Sequence, residues 1–121
     1  MKRLLLIVLP LLLIVGCSKP INEDHLIEQN GLKFHPGKGL YSGETFSLNK
    51  DGSIRYERSY KDGIKLSMTQ YSYYTNGQVF QESNYKNGKP NGVLTTWDME
   101  GNKTEERIYK DGSFVSKKSF N

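Results

Sequence analysis

The sequence predicts an all-β protein: an antiparallel meander of repeated β-hairpins that forms a single elongated sheet. Three observations support this prediction: a repeat of 24 to 25 residues, two turn signals in every repeat, and an aromatic-rich composition. The chain holds eight Tyr, five Phe and one Trp, and it contains no alanine after residue 17. Aromatic residues favour strands and alanine favours helices, so the composition indicates sheet.

The repeat is clearest in a four-residue segment that occurs three times. Tyr60-Lys-Asp-Gly63 returns as Tyr85-Lys-Asn-Gly88 and again as Tyr109-Lys-Asp-Gly112, at steps of 25 and 24 residues. The same two steps relate Glu57, Glu82 and Glu106. Several positions that share one spacing indicate a true internal repeat, in which each unit packs against its neighbours.

Two turn signals in each repeat mark the ends of the predicted strands. Their glycines are Gly52, Gly63, Gly77, Gly88, Gly101 and Gly112. Most follow Asp or Asn, and these dipeptides suit two-residue hairpin loops because both residues tolerate positive φ. In the segment after the first turn, Ile54 and Tyr56 alternate with Arg55 and Glu57, as in a strand. No window of ten or more residues after residue 17 has helical periodicity.

The N-terminus has the features of an export signal. A basic start, Met1–Arg3, precedes an apolar run, Leu4–Val15, and Ile14-Val-Gly-Cys17 then resembles a lipobox. We therefore expect residues 1–16 to be a lipoprotein signal peptide and Cys17 to carry the lipid. The alternatives are an uncleaved N-terminal anchor and an ordinary cleaved signal followed by an incidental cysteine.

Export changes how the rest of the chain is interpreted. Loss of Lys2 and Arg3 leaves 15 basic and 13 acidic residues, so the net charge falls to +2, which argues against a nucleic-acid partner. Cys17 is the only cysteine, so it leaves none for a disulfide or a cysteine-based metal site. We expect residues 17–30 to be a tether and residues 31–121 the repeat domain. The expected location is the cell envelope, at the outer membrane if the organism has one.

The repeat resembles the MORN-variant repeat found in bacterial proteins described as antitoxin components of the YwqK type. The pattern is fullest in the copy that contains Tyr85-Lys-Asn-Gly88, Gly92, Trp97, Gly101, Glu106 and Tyr109. In the preceding copy Ser67 replaces the second glycine and one extra residue precedes Tyr73, which predicts a bulge in that hairpin. The resemblance implies a sheet of stacked hairpins and leaves the activity open.

The marked residues have structural and functional interpretations. Tyr60, Tyr85 and Tyr109 either pack one repeat against the next, which we favour, or form a sugar-binding strip. The three repeated glutamates are expected to face solvent beside Lys or Arg, because strands two apart lie about 10 Å from each other and one cation would not bridge them. His25 and His35 have no metal-site or catalytic spacing. We find no catalytic motif and expect neither a metal nor a cofactor.

The sequence thus predicts a non-enzymatic module, held on a membrane by its lipid, that binds a protein or an envelope polysaccharide. The alternative is an immunity lipoprotein that neutralises an envelope-delivered toxin; an envelope hydrolase has no supporting residues. Tyr71, Tyr74 and Phe80 have no aromatic counterpart in the neighbouring copies, and Phe80 aligns with Arg55 and Thr104. These three residues are a candidate binding face, although a small local core is the interpretation we favour slightly.

Overall fold

A computed structural model describes residues 18–121 and shows a fold built almost entirely of strands, which confirms the all-β prediction. The predicted signal peptide and Cys17 lie outside the described residues. The strands are β1 (Ile21–Asn22), β2 (Ile27–Gln29), β3 (Leu32–His35), β4 (Gly39–Leu40), β5 (Gly43–Leu48), β6 (Ile54–Lys61), β7 (Ile64–Tyr73), β8 (Val79–Lys86), β9 (Lys89–Pro90), β10 (Gly92–Trp97), β11 (Lys103–Lys110) and β12 (Ser113–Ser119). A 3₁₀ turn, Glu23–His25, lies between β1 and β2.

The strands form one long sheet and one small sheet. The long sheet has the order β1-β5-β6-β7-β8-β10-β11-β12, with β9 paired to β8. From β5 onward its pairs are antiparallel, as the meander predicts, whereas β1 pairs with β5 in parallel. The sequence predicts only the long sheet. The small sheet, β2-β3-β4, forms because Asn30 and Gly31 both take positive φ and fold the chain back into an additional hairpin.

The two sets of predicted turns have different geometries. At Gly63, Gly88 and Gly112 the glycine and the residue before it both have positive φ, which confirms two-residue loops there. We call these the inner turns. At Gly52, Gly77 and Gly101 only the glycine has positive φ, so the prediction of two-residue loops is wrong for this set.

The second set, which we call the outer turns, has four residues each: 49–52, 74–77 and 98–101. In the first, the amide of Gly52 donates to the carbonyl of Asn49 at 3.0 Å, and the amide of Asn49 donates to the carbonyl of Ser53 at 2.8 Å. The other two turns repeat both bonds. A register shift precedes each outer turn, between residues 47 and 48, 72 and 73, and 96 and 97. The bulge predicted from the extra residue before Tyr73 is therefore present, but all three hairpins share it.

The core of the fold is small and lies at one corner. Among apolar residues only Tyr41 and Tyr60 are buried within the described chain, and their rings meet edge to face at 6.2 Å. The small sheet covers this corner. The amide of Lys33 donates to the carbonyl of Gly63 at 3.0 Å, and the amide of Gly63 donates to the carbonyl of Tyr41 at 2.8 Å. Tyr85 and Tyr109, the counterparts of Tyr60, are only half-buried because no such sheet covers them.

The ordered fold begins well before Gly31, the predicted start of the repeat domain. β1 pairs with β5, and Glu23, which the sequence places in the tether, is held against the long sheet. Its carboxylate accepts hydrogen bonds from three side chains: Arg58 Nη1 at 2.7 Å, Thr45 Oγ1 at 2.9 Å and the Tyr60 hydroxyl at 3.0 Å. Burial alone would raise the pKa of Glu23, but these bonds and the Arg58 charge hold it below its ordinary value.

Candidate functional site

A groove separates the first outer turn from the second. It has a volume of about 450 Å³ and is bordered by the start of β6 and the end of β7. Its lining is polar and aromatic, and consists of Asn49, Asp51, Ser53, Arg55, Gln70, Tyr71, Ser72, Tyr73, Tyr74, Thr75 and Gly77. The volume falls within the range of small-ligand sites, and the lining suits a ligand rich in hydroxyl groups.

The groove exists because the three outer turns are not joined in the same way. The second turn is bonded to the third: the Tyr74 hydroxyl donates to the carbonyl of Trp97 at 2.8 Å, and Asn76 Nδ2 donates to that of Met99 at 3.1 Å. Asn49, the counterpart of Tyr74 in the first turn, instead donates from Nδ2 to Ser53 Oγ at 2.9 Å within its own turn. Two differences in the repeat pattern, Tyr74 for Asn49 and Asn76 for Asp51, thus join the second turn to the third and leave the first turn apart.

Tyr71 supplies a fixed ring in the groove. Its hydroxyl donates to Glu57 Oε1 at 2.5 Å, and Glu82 lies directly opposite it on β8. Burial raises the pKa of Tyr71, and its bond to the Glu57 carboxylate raises the pKa further, so the phenol stays neutral at physiological pH. Tyr73 is anchored similarly, because its hydroxyl donates to the carbonyl of Ile54 at 2.7 Å.

Charged and amide groups surround these rings. Asp51 Oδ1 accepts from the Ser53 hydroxyl at 2.6 Å and from its amide at 2.9 Å, and these bonds lower the pKa of Asp51. The exposed Arg55 guanidinium lies 5.0 Å from the Tyr56 ring centre. With the Asn49 amide, the groove offers an anion, a cation and a group that both donates and accepts hydrogen bonds.

The structure only partly unites the three residues predicted as a binding face. Tyr71 and Tyr74 both line the groove. Phe80 instead packs edge to face on Tyr74 at 5.1 Å and is 38% exposed. The prediction that Tyr71 has no aromatic counterpart is wrong: Phe46 lies opposite Glu57 as Tyr71 lies opposite Glu82.

Two of the three repeated glutamates have separate side-chain partners. Glu57 is bonded to Tyr71, and Glu106 Oε2 forms an ion pair with Lys103 Nζ at 2.9 Å. Within residues 18–121 we find no cluster of three or more His, Cys, Asp or Glu side chains arranged to hold a metal ion. In the same part of the chain, no helix has both the length and the apolarity needed to cross a bilayer.

Sequence reasoning did not single out Arg55, Gln70 or Asn49, although all three line the groove. Strand alternation places Arg55 and Glu57 on the same face of β6, and Glu57 binds Tyr71. The sequence pattern could therefore have placed Arg55 on the same face as Tyr71. Asn49 carried no such signal, because its role depends on which outer turns touch.

Comparisons with known proteins assign this chain to no family. No family model matches the chain, and no solved structure matches it. A 46-residue stretch, 38% of the chain, is 39% identical to part of a WD repeat-containing protein 91 homolog from Dictyostelium discoideum. The matched stretch covers 6% of that protein's length.

Proposed function

We propose that this chain is a membrane-anchored lipoprotein whose non-enzymatic β-repeat domain binds an envelope polysaccharide in the groove between the first two outer turns. The observation that carries this proposal is the groove itself, whose lining holds the fixed Tyr71 ring together with Asp51 and Arg55. Sugar rings present C–H groups that pack on aromatic faces, and their hydroxyls pair with carboxylate, guanidinium and amide groups.

The character of the groove favours a polysaccharide over a protein partner. Protein interfaces have a desolvated, more apolar centre, whereas most residues that line this groove are polar and two of them are charged. An extended glycan lying across the outer turns would keep these groups hydrated and hydrogen-bonded. Display on a membrane would place the groove beside such polymers.

Anchoring is the first test of this function. We expect the wild-type protein to partition with membranes and to incorporate labelled fatty acid, because buried acyl methylenes contribute about 0.8 kcal/mol each. Cys17→Ala removes the thiol that would be alkylated and should abolish both labelling and processing. Normal labelling and maturation of Cys17→Ala protein would contradict the lipoprotein proposal.

The groove is tested by single replacements in the full chain, purified in detergent and sedimented with insoluble peptidoglycan. We expect Tyr71→Ser and Arg55→Ala to reduce the bound fraction about tenfold, the effect of losing one good contact. Ile108→Ser and Lys86→Ala, exposed positions outside the groove, are the matched controls and should bind as wild type does.

Thermal unfolding of these variants, and of two further ones, separates an effect on binding from an effect on packing. Tyr74→Ser and Phe80→Ser should lower the melting temperature, because Tyr74 joins two turns and Phe80 packs on it. Tyr71→Ser should lower it less. If Tyr71→Ser loses binding only in proportion to its loss of folded protein, or if the wild type fails to bind, the groove is not a polysaccharide site.

A further inference from the structure

The two ends of the long sheet are closed to different extents. At one end β1 pairs with β5, and the small sheet covers the adjoining corner. At the other end β12 pairs with β11 only, and all seven of its residues are exposed. Stacked repeats need closed ends, since a bare strand edge offers unpaired backbone groups to another strand.

The start of β12 is apolar, and a register shift in its pairing with β11 leaves Val115 without a partner residue there. Phe114 is 56% exposed and Val115 is 58% exposed, both at the start of the strand. The two lysines at its other end already have partners: Lys117 Nζ lies 3.3 Å from Glu105 Oε2, and Lys118 Nζ lies 5.0 Å from the Phe120 ring centre. The segment from Ser113 to Ser116 carries no charge.

We propose that β12 pairs antiparallel with β12 of a second copy of this chain, so that the two long sheets become continuous. A strand that pairs with itself has a two-fold axis at its centre, and the charges on β12 select the position of that axis. Centring on Lys117 or Lys118 would place like charges opposite each other, which destabilises a sheet. Centring on Ser116 places the lysines of each copy beside the uncharged start of the other.

This arrangement closes the seven-residue edge of β12, which the described residues leave unpaired. A two-fold axis makes the contact self-complementary, so the assembly stops at two copies and does not grow into a fibre. Phe114 and Val115 of each copy then lie within the new interface.

The test is a disulfide at the predicted axis. Ser116→Cys, introduced into the full chain and purified in detergent, should give a cross-linked dimer on mild oxidation, because opposed residues of antiparallel strands lie about 4.5–5.5 Å apart between Cα atoms. Wild-type protein, whose only cysteine is Cys17, gives the background. Ser113→Cys and Ser119→Cys are matched controls and should not cross-link above it, because they lie away from the axis.

A second replacement links the disulfide to the interface. Adding Phe114→Lys to Ser116→Cys should reduce the cross-linked fraction about tenfold or more, since it removes an apolar contact and places a lysine opposite Lys118 of the second copy. Three results would overturn the proposal: no dimer from Ser116→Cys, equal cross-linking of Ser113→Cys, or a Ser116→Cys adduct with a different protein in place of the dimer.

Discussion

Glu23→Ala should lower the free energy of unfolding by about 2–4 kcal/mol, because removing one partner of a largely buried ion pair leaves the other charge uncompensated. Arg58 is that other charge: its side chain is 18% exposed, and its Nε has no hydrogen-bond partner among the described residues. The variant also leaves Thr45 and Tyr60 without an acceptor. For a domain of this size the melting temperature should fall by roughly 10 °C or more, measured by circular dichroism.

Two other replacements test whether this loss belongs to the buried carboxylate. Asp24→Ala removes the neighbouring acidic group, which is exposed, and should change the melting temperature little. Glu23→Gln keeps the shape and one acceptor oxygen but loses the charge, so it should fall between wild type and Glu23→Ala. A melting temperature for Glu23→Ala equal to that of Asp24→Ala would show that the carboxylate does not hold the N-terminal segment in place.

The pH dependence of stability is a separate test of the contribution of Glu23. The pKa of Glu23 is lower in the folded state than its ordinary value, so its contribution is complete above the unfolded-state pKa of about 4.3. That contribution is lost as the pH falls through the depressed folded-state pKa. The difference in stability between wild type and Glu23→Gln should therefore be largest near neutral pH and shrink in acid. A difference that grows as the pH falls below 4 would have the wrong sign.

Local features of the fold were predictable from the sequence, because a turn depends on few residues. The inner turns at Gly63, Gly88 and Gly112 have the backbone that Asp-Gly and Asn-Gly indicate. The outer turn at Gly52 ends with the same dipeptide type but is a four-residue turn, because a bulge precedes it and changes the register of the strands. A dipeptide alone does not reveal such a bulge.

Contacts between distant parts of the chain were not predictable from the sequence pattern. Glu23 binds Arg58 across 35 residues, and nothing in the polar segment around Glu23 distinguishes a tether from a docked strand and turn. The groove is hidden for a similar reason. It depends on whether Tyr74 and Asn49 bond to a neighbouring turn or to their own, and the repeat shows only that these positions differ.

Gly63→Ala should be destabilising by about 2–4 kcal/mol, the sum of two costs. An L residue at positive φ costs about 1 kcal/mol, and crowding a packed contact costs a further 1–3 kcal/mol. An added Cβ would lie 2.9 Å from Leu40 Cδ2 and 3.0 Å from the carbonyl oxygen of Lys33. Both atoms belong to the small sheet, so the replacement should push that sheet away from the Tyr41–Tyr60 corner. Thermal unfolding measures the total cost.

Gly88→Ala is the matched control, because it occupies the same position in the next repeat. Its φ is +78° against +79° for Gly63, yet an added Cβ there meets nothing within 4 Å. It should therefore cost only the backbone term, about 1 kcal/mol. The difference between the two variants measures how strongly the small sheet is docked, and near-ultraviolet circular dichroism should change for Gly63→Ala alone as the tyrosine pair loosens. Equal losses of stability in the two variants would mean that the small sheet does not rest on Gly63.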